Sequence, residues 1–208
     1  MTDALRRDVL DGVFAPGQRL VELQLTSRYG VGRAAVRSAL VELASEGLVE
    51  REANRGAMVR RMTLEEVIQI TEARMVLESL LAAHAARNAT DEERDELADI
   101  EAQMRKATAH HAPDKYSALN ALFHQRVREI SRHPVAAGLV ANLRNRAAHH
   151  QYRLAQLPGR PAESVEQHAR IIWAITAGDA DLAATGMRSH LQSVIDALHR
   201  WDDFGAHI

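Results

Sequence analysis

Apolar positions along this chain fall mainly into helical stripes, and the exceptions cluster in the first sixty residues. Over residues 33–46, Val36, Ala39, Leu40 and Leu43 recur at i, i+3, i+4 and i+7, the spacing of a helix with one face turned inward. Residues 3–12 and about 21–29 read as two shorter helices before it. Between those two, Phe14-Ala15-Pro16-Gly17 is turn chemistry: Pro presets φ and Gly accepts positive φ. Gly30 is placed to cap the second helix. Leu48-Val49-Glu50-Arg51 and Ala57-Met58-Val59-Arg60 are short strand-like runs flanking Asn54-Arg55-Gly56, a hairpin turn. Helix, helix, turn, helix, hairpin is the order of a winged helix-turn-helix.

From Thr63 onward the pattern changes to longer helices. Thr63-Leu64-Glu65-Glu66 and Thr90-Asp91-Glu92-Glu93 both carry the capping-box spacing. Breaks at His111-Ala112-Pro113, His133-Pro134, Leu157-Pro158-Gly159-Arg160-Pro161 and Gly178-Asp179 divide the remainder into six helices. Lengths of about 15 to 25 residues suit an antiparallel bundle. The expected fold is mostly α, with a winged helix-turn-helix over residues 1–62 and an all-helical domain over 63–208.

Composition narrows the chemistry. The 208 residues are 46% hydrophobic but contain no Cys, which removes disulfides, thiol nucleophiles and Cys-based zinc sites. Any metal must use His and oxygen. No apolar run approaches membrane-spanning length, and Asp3, Arg6, Arg7 and Asp8 replace an apolar signal core, so a soluble, cytoplasmic protein is expected. The net charge of −2 hides an asymmetry: residues 1–62 hold ten Arg against eight Asp and Glu.

Those early arginines are arranged. Arg33 and Arg37 are one helical turn apart near the start of the third helix, where a recognition helix meets base edges. Arg suits a bidentate contact with guanine, or a phosphate. Arg55 and Gly56 at the hairpin tip can enter a minor groove and bring backbone close to phosphate. Arg28, ending the second helix, is a further phosphate candidate. Taken singly, each is also consistent with a solvated surface charge.

The run Gly12-x3-Pro16-Gly17-x-Arg19-Leu20-x-Glu22, then Tyr29-Gly30-Val31-Gly32-Arg33-Ala34-Ala35-Val36-Arg37-x-Ala39-Leu40-x2-Leu43-x2-Glu46-Gly47-Leu48-Val49 and Arg55-Gly56-Ala57-x-Val59, resembles the DNA-binding domain of the GntR family. The resemblance implies a bacterial transcription factor with Arg33, Arg37 and Gly56 on DNA-contacting positions. The chain departs from the family at Gly32, where Ser or Thr is usual, at Ala34 and Ala35, where Thr and Pro are usual, at Ser38, usually Glu, and at Leu23, often basic. Lost hydroxyls mean fewer polar contacts, so the docking geometry is carried over but not an operator sequence.

In the second half, Asn120 and His124 are i, i+4 on one helix; His168 aligns with Ile171, Ile172 and Ile175, and His190 with Met187 and Val194. Three imidazoles and a carboxamide thus point into one bundle, either as metal ligands or as core histidines satisfied by neighbouring carbonyls. Arg74-x2-Leu77-Glu78-x2-Ala82, Phe123-His124, Glu166-x-His168, Gly178-Asp179-x2-Leu182-Ala183 and His190-Leu191 resemble the FCD ligand-binding domain of the FadR-type branch of that family.

This resemblance implies a divalent metal held at Asn120, His124, His168 and His190, with Asn120 standing where the family has Asp. An amide ligates without charge, which lowers metal affinity and leaves more positive charge for an anionic effector. Three neutral imidazoles favour zinc, nickel, cobalt or copper over magnesium or calcium, and availability ranks zinc first, with nickel next. The resemblance also turns Arg74 toward an effector carboxylate; the alternative is an ion pair with Glu78 on a helix surface.

The resulting expectation is a homodimeric, non-enzymatic transcription regulator that binds a pseudo-palindromic DNA operator and responds to a small organic carboxylate at a metal. A metal sensor, with the ion itself as effector, is a competing reading. A His-ligated metalloenzyme is another, but it needs a base, and Glu166 points to a different helix face from His168.

Overall fold

The computed structural model describes residues 1–52, 56–147 and 159–203. The chain divides into two compact units, Met1–Thr63 with Arg144–His149, and Leu64–Leu143 with His150–Ile208.

The first unit contains α1 (Thr2–Leu10), β1 (Arg19–Leu20), α2 (Glu22–Tyr29), α3 (Arg33–Ser45), β2 (Val49–Glu52) and β3 (Gly56–Val59). Helix α2 stops because Gly30 takes the left-handed conformation, φ +65°, and returns its N–H to Thr26 O. The stripe Val36, Ala39, Leu40 and Leu43 is buried, packing with Leu5 and Val9 of α1, Leu25 of α2 and Leu20, Val49, Ala57 and Val59 of the strands. The opposite side of α3 is thereby left to solvent.

The sheet is antiparallel, in the order β1-β3-β2. Strand β1 is an addition to the sequence reading, which expects only the hairpin. Two residues are too few to show alternation, and tertiary pairing creates the strand: Val59 N donates to Gln18 O at 2.9 Å and Gly17 N to Val59 O at 2.7 Å.

The second unit contains α4 (Leu64–Asn88), α5 (Asp91–Ala109), α6 (Pro113–Ile130), α7 (Pro134–Arg146) up to Leu143, α8 (Arg160–Thr176) and α9 (Ala180–Asp203). Among the described residues these are six helices, as expected, although α7, at 13 residues, is shorter than anticipated. The Thr90 box is complete: Glu93 N donates to Thr90 Oγ1 at 3.3 Å and Thr90 N to Glu93 Oε2 at 3.1 Å, an arrangement that stabilises a helix start by about 1 kcal/mol.

Leu97, Ile100 and Met104 of α5, Phe123 and Val127 of α6, Ile171, Ile172 and Ile175 of α8 and Met187 of α9 form one core. Ala82, Ala85 and Ala86 of α4 join the same core, small residues that let neighbouring helices approach closely. Among the described residues, no helix is long and apolar enough to cross a membrane.

Candidate functional site

Two constellations carry chemistry, one in each unit. In the first, Arg33 opens α3 and is exposed, and Arg37 follows one turn later on the same outer side. The Arg37 side chain is 64% exposed and its guanidinium rests on Glu22 of α2, with Nε 2.9 Å from Oε2. Arg28 donates from Nε and Nη2 to Asp8 Oδ2 at 3.2 and 3.0 Å, and lies 5.3 Å from the Phe14 ring centre. Asp8 favours the charged guanidinium and so raises the Arg28 pKa. Tyr29 Oη donates to the same carboxylate oxygen at 2.6 Å. Arg28 is thus a tethered cation, whereas Arg33 is exposed at the helix start.

Gly56 opens β3 at φ +89°, in the left-handed region that favours glycine. Arg55 falls outside the described residues. The sheet adds two exposed cations to the set drawn from the sequence: Arg19, opposite Met58, and Arg51, opposite Ala57. Arg51 could have been found by alternation along its strand; Arg19 required knowledge of the third strand.

In the second unit, His124 of α6, His168 of α8 and His190 of α9 meet in the core, 3%, 0% and 3% exposed. Ring centres are 4.4 to 5.5 Å apart, and one ligand nitrogen from each lies within 4.8 Å of the others. The convergence follows from the apolar stripes, since each His occupies an inward position among residues that bury.

What surrounds the rings decides which nitrogens are available. His124 Nδ1 lies 2.7 Å from Glu78 Oε2. His190 Nδ1 lies 2.8 Å from Gln167 Oε1, which also receives Ser193 Oγ at 2.9 Å. An Nδ1–H donated to an oxygen leaves the Nε2 lone pair for a metal, the arrangement in which oxygen partners orient ligating histidines.

Nε2 of His168 and Nε2 of His190 are 3.2 Å apart. Two nitrogens on a tetrahedral zinc, each at about 2.0–2.1 Å, would be about 3.3 Å apart. The donor set therefore fits a divalent ion. Burial is the main reason the His190 pKa lies well below its usual value, with Arg160 pushing the same way and Glu78 opposing it, which disfavours protonation of the ring as ligation requires. The Nδ1 partners of His124 and His190 are both side-chain oxygens, the Glu78 carboxylate and the Gln167 carboxamide carbonyl. Asn120 is half-buried one turn before His124 on α6.

Arg74 and Glu78 do form an ion pair, with Nε 2.8 Å from Oε1, but not on a helix surface: both side chains are 3% exposed. Arg74, Glu78 and His124 make a buried relay running into the cluster. The roles of Glu78 and Gln167 were missed by sequence reasoning. The signal for Glu78 was its place on the inward stripe of α4 with Val67, Ile70, Thr71 and Arg74. Glu166 is exposed and paired with Arg105, so it stands away from the cluster as its spacing implied.

Comparison with known proteins agrees with this division. Residues 1–59 match the family of bacterial regulatory proteins, gntR family, and residues 69–193 match the FCD domain. The HTH-type transcriptional repressor RspR of Escherichia coli is 28% identical over 196 residues, covering 94% of this chain and 86% of its own. A gluconate operon transcriptional repressor of Bacillus licheniformis is 27% identical over 197 residues, covering 91% and 80%. The solved structure of E. coli McbR/YncC superposes with a TM-score of 0.82 at 22% identity, covering 96% of this chain and 95% of that one. A winged helix-turn-helix with an outward α3, followed by an FCD helical domain, makes this chain a member of the GntR family of DNA-binding transcriptional regulators.

Proposed function

We propose that the protein is an effector-responsive regulator that binds a pseudo-palindromic operator as a homodimer, with zinc, or failing that nickel, held by His124, His168, His190 and Asn120 in the helical unit. The observation that carries this reading is the buried three-histidine cluster with oxygen partners on two Nδ1 atoms. It is a site built for a cation inside a domain whose family reads DNA. A small organic carboxylate completes the metal's coordination. Arg74 engages Glu78 through Nε, so its effector contact falls to the terminal nitrogens. The relative named for a gluconate operon supports the carboxylate class.

Arg33 and Arg37 read the major groove, Gly56 and Arg55 form the wing, and Arg28 stands by a phosphate. One recognition helix covers about three or four base pairs, so two copies are needed for specificity. Helices α4 and α7, packed together through Leu81, Ala136 and Val140, leave Val76, Leu80, Val135 and Leu139 exposed, apolar surface suited to a second copy. The protein works in the cytoplasm, with its DNA.

The test is operator affinity of chelated protein, zinc-loaded protein, and zinc-loaded protein with a panel of small organic acids. An acid that acts through zinc shifts affinity by about 5–150-fold, a coupling of about 1–3 kcal/mol. A shift on zinc alone would make the ion itself the effector, and no shift under any condition would contradict the reading.

Glu22 supplies a second check. An exposed ion pair contributes about 0.2–1 kcal/mol, so Arg37 trades Glu22 for DNA at small cost. Glu22→Gln is expected to raise DNA affinity by up to about fivefold, as measured by fluorescence anisotropy. A fall in affinity would mean that Glu22 holds Arg37 in its DNA-binding pose.

A further inference from the structure

The end of α6 and the start of α7 border a groove of about 550 Å³ lined in part by Gln125, Arg128, Glu129, Arg132 and His133. Its size is that of a small-ligand pocket. Almost every polar group on its wall is committed. Arg132 donates to Glu93 Oε1 at 2.6 Å and to Glu129 O at 3.0 Å. Gln125 Nε2 donates to Glu129 Oε1 at 2.8 Å, and the other Glu129 oxygen pairs with Arg126. His133 Nδ1 accepts from Ala136 N at 3.2 Å, and its ring meets His84 edge to face.

Arg128 differs. It is half-buried, one turn beyond His124 on the same helix, and its Nη1 is buried with no hydrogen-bond partner among the described residues. Burial pushes its pKa down; Glu78 and, more weakly, Glu129 offset part of this and Arg74 opposes that offset. Yet Glu78 is already shared between Arg74 and His124. A guanidinium partly stripped of water, with one buried nitrogen lacking an acceptor, is stabilised by an incoming anion.

We propose that this groove is an anion-binding site, separate from the histidine cluster, in which Arg128 anchors the carboxylate or phosphate group of a small ligand. The cation is held ready by helix α6, and the neighbouring charges that would compete for the anion are paired with one another. The site does not depend on a metal.

The experiment is calorimetric and thermal titration of the full chain with inorganic phosphate and with acetate, at constant ionic strength, for wild type, Arg128→Gln and chelator-treated wild type. Saturable binding of at least one anion is expected, unchanged by chelation and weakened about tenfold or more in Arg128→Gln. Which anion binds distinguishes a phosphate ligand from a carboxylate. In anion-free buffer, Arg128→Gln is expected to melt at or above the wild-type temperature, because it removes a partly desolvated charge whose Nη1 lacks an acceptor. The proposal is overturned by no saturable binding of either anion, or by equal binding in the variant. It is also overturned by binding that chelation abolishes and the variant keeps, which would place the anion at the metal, or by a lower melting temperature, which would make Arg128 structural.

Discussion

Replacing Glu78 with Gln is expected to lower zinc affinity about 10–100-fold, the usual cost of losing an oxygen partner behind a ligating histidine. Glu78 lies 2.7 Å from His124 Nδ1, and the carboxylate both fixes the ring and adds basicity to its far nitrogen. It also neutralises Arg74, 3% exposed, so the variant loses fold stability as well, by about 3–5 kcal/mol if the buried charge finds no other partner.

A second variant separates the two effects. Gln167→Leu removes the acceptor of His190 Nδ1 from a half-buried position and leaves no buried charge behind. It is expected to weaken zinc by a similar factor of about 10–100 with the fold intact, read by competition against a zinc chelator alongside circular dichroism. Wild-type affinity in Gln167→Leu, with folded helices, would mean that His190 is not a ligand.

Replacing Arg33 with Ala is expected to cost about 1–3 kcal/mol of operator affinity and to relax selection at one base position. Arg33 is exposed at the first residue of α3, and the four buried residues of that helix hold its outer face rigid. Loss of the same size on operator and random DNA would make Arg33 a phosphate anchor instead, and the salt dependence of binding would then flatten by about one unit of slope. No loss on either DNA would remove Arg33 from the interface.

How much of this was legible in the chain depends on how local each feature is. The α3 stripe, the Gly30 cap and the Thr90 box are set within one or two helical turns, and the structure has them where the residues put them. The three histidines were readable because each shares a stripe with residues that bury.

Strand β1 was not legible, since Arg19 and Leu20 become a strand only by pairing with β3. Nor was the depth of the Arg74–Glu78 pair. An Arg and a Glu four residues apart read alike on a surface and in a core, and only the packing of the other helices against α4 buries them. Glu78 and Gln167 acquire their roles from neighbours 46 and 23 residues away in sequence, a relation that periodicity along one helix does not carry.

X-ray absorption at the zinc edge, on protein loaded with one equivalent and desalted, tests the central claim most directly. The account predicts retained zinc with three imidazole nitrogens at about 2.0–2.1 Å, completed by oxygen. Zinc lost on desalting, or a first shell of oxygen alone, would contradict it.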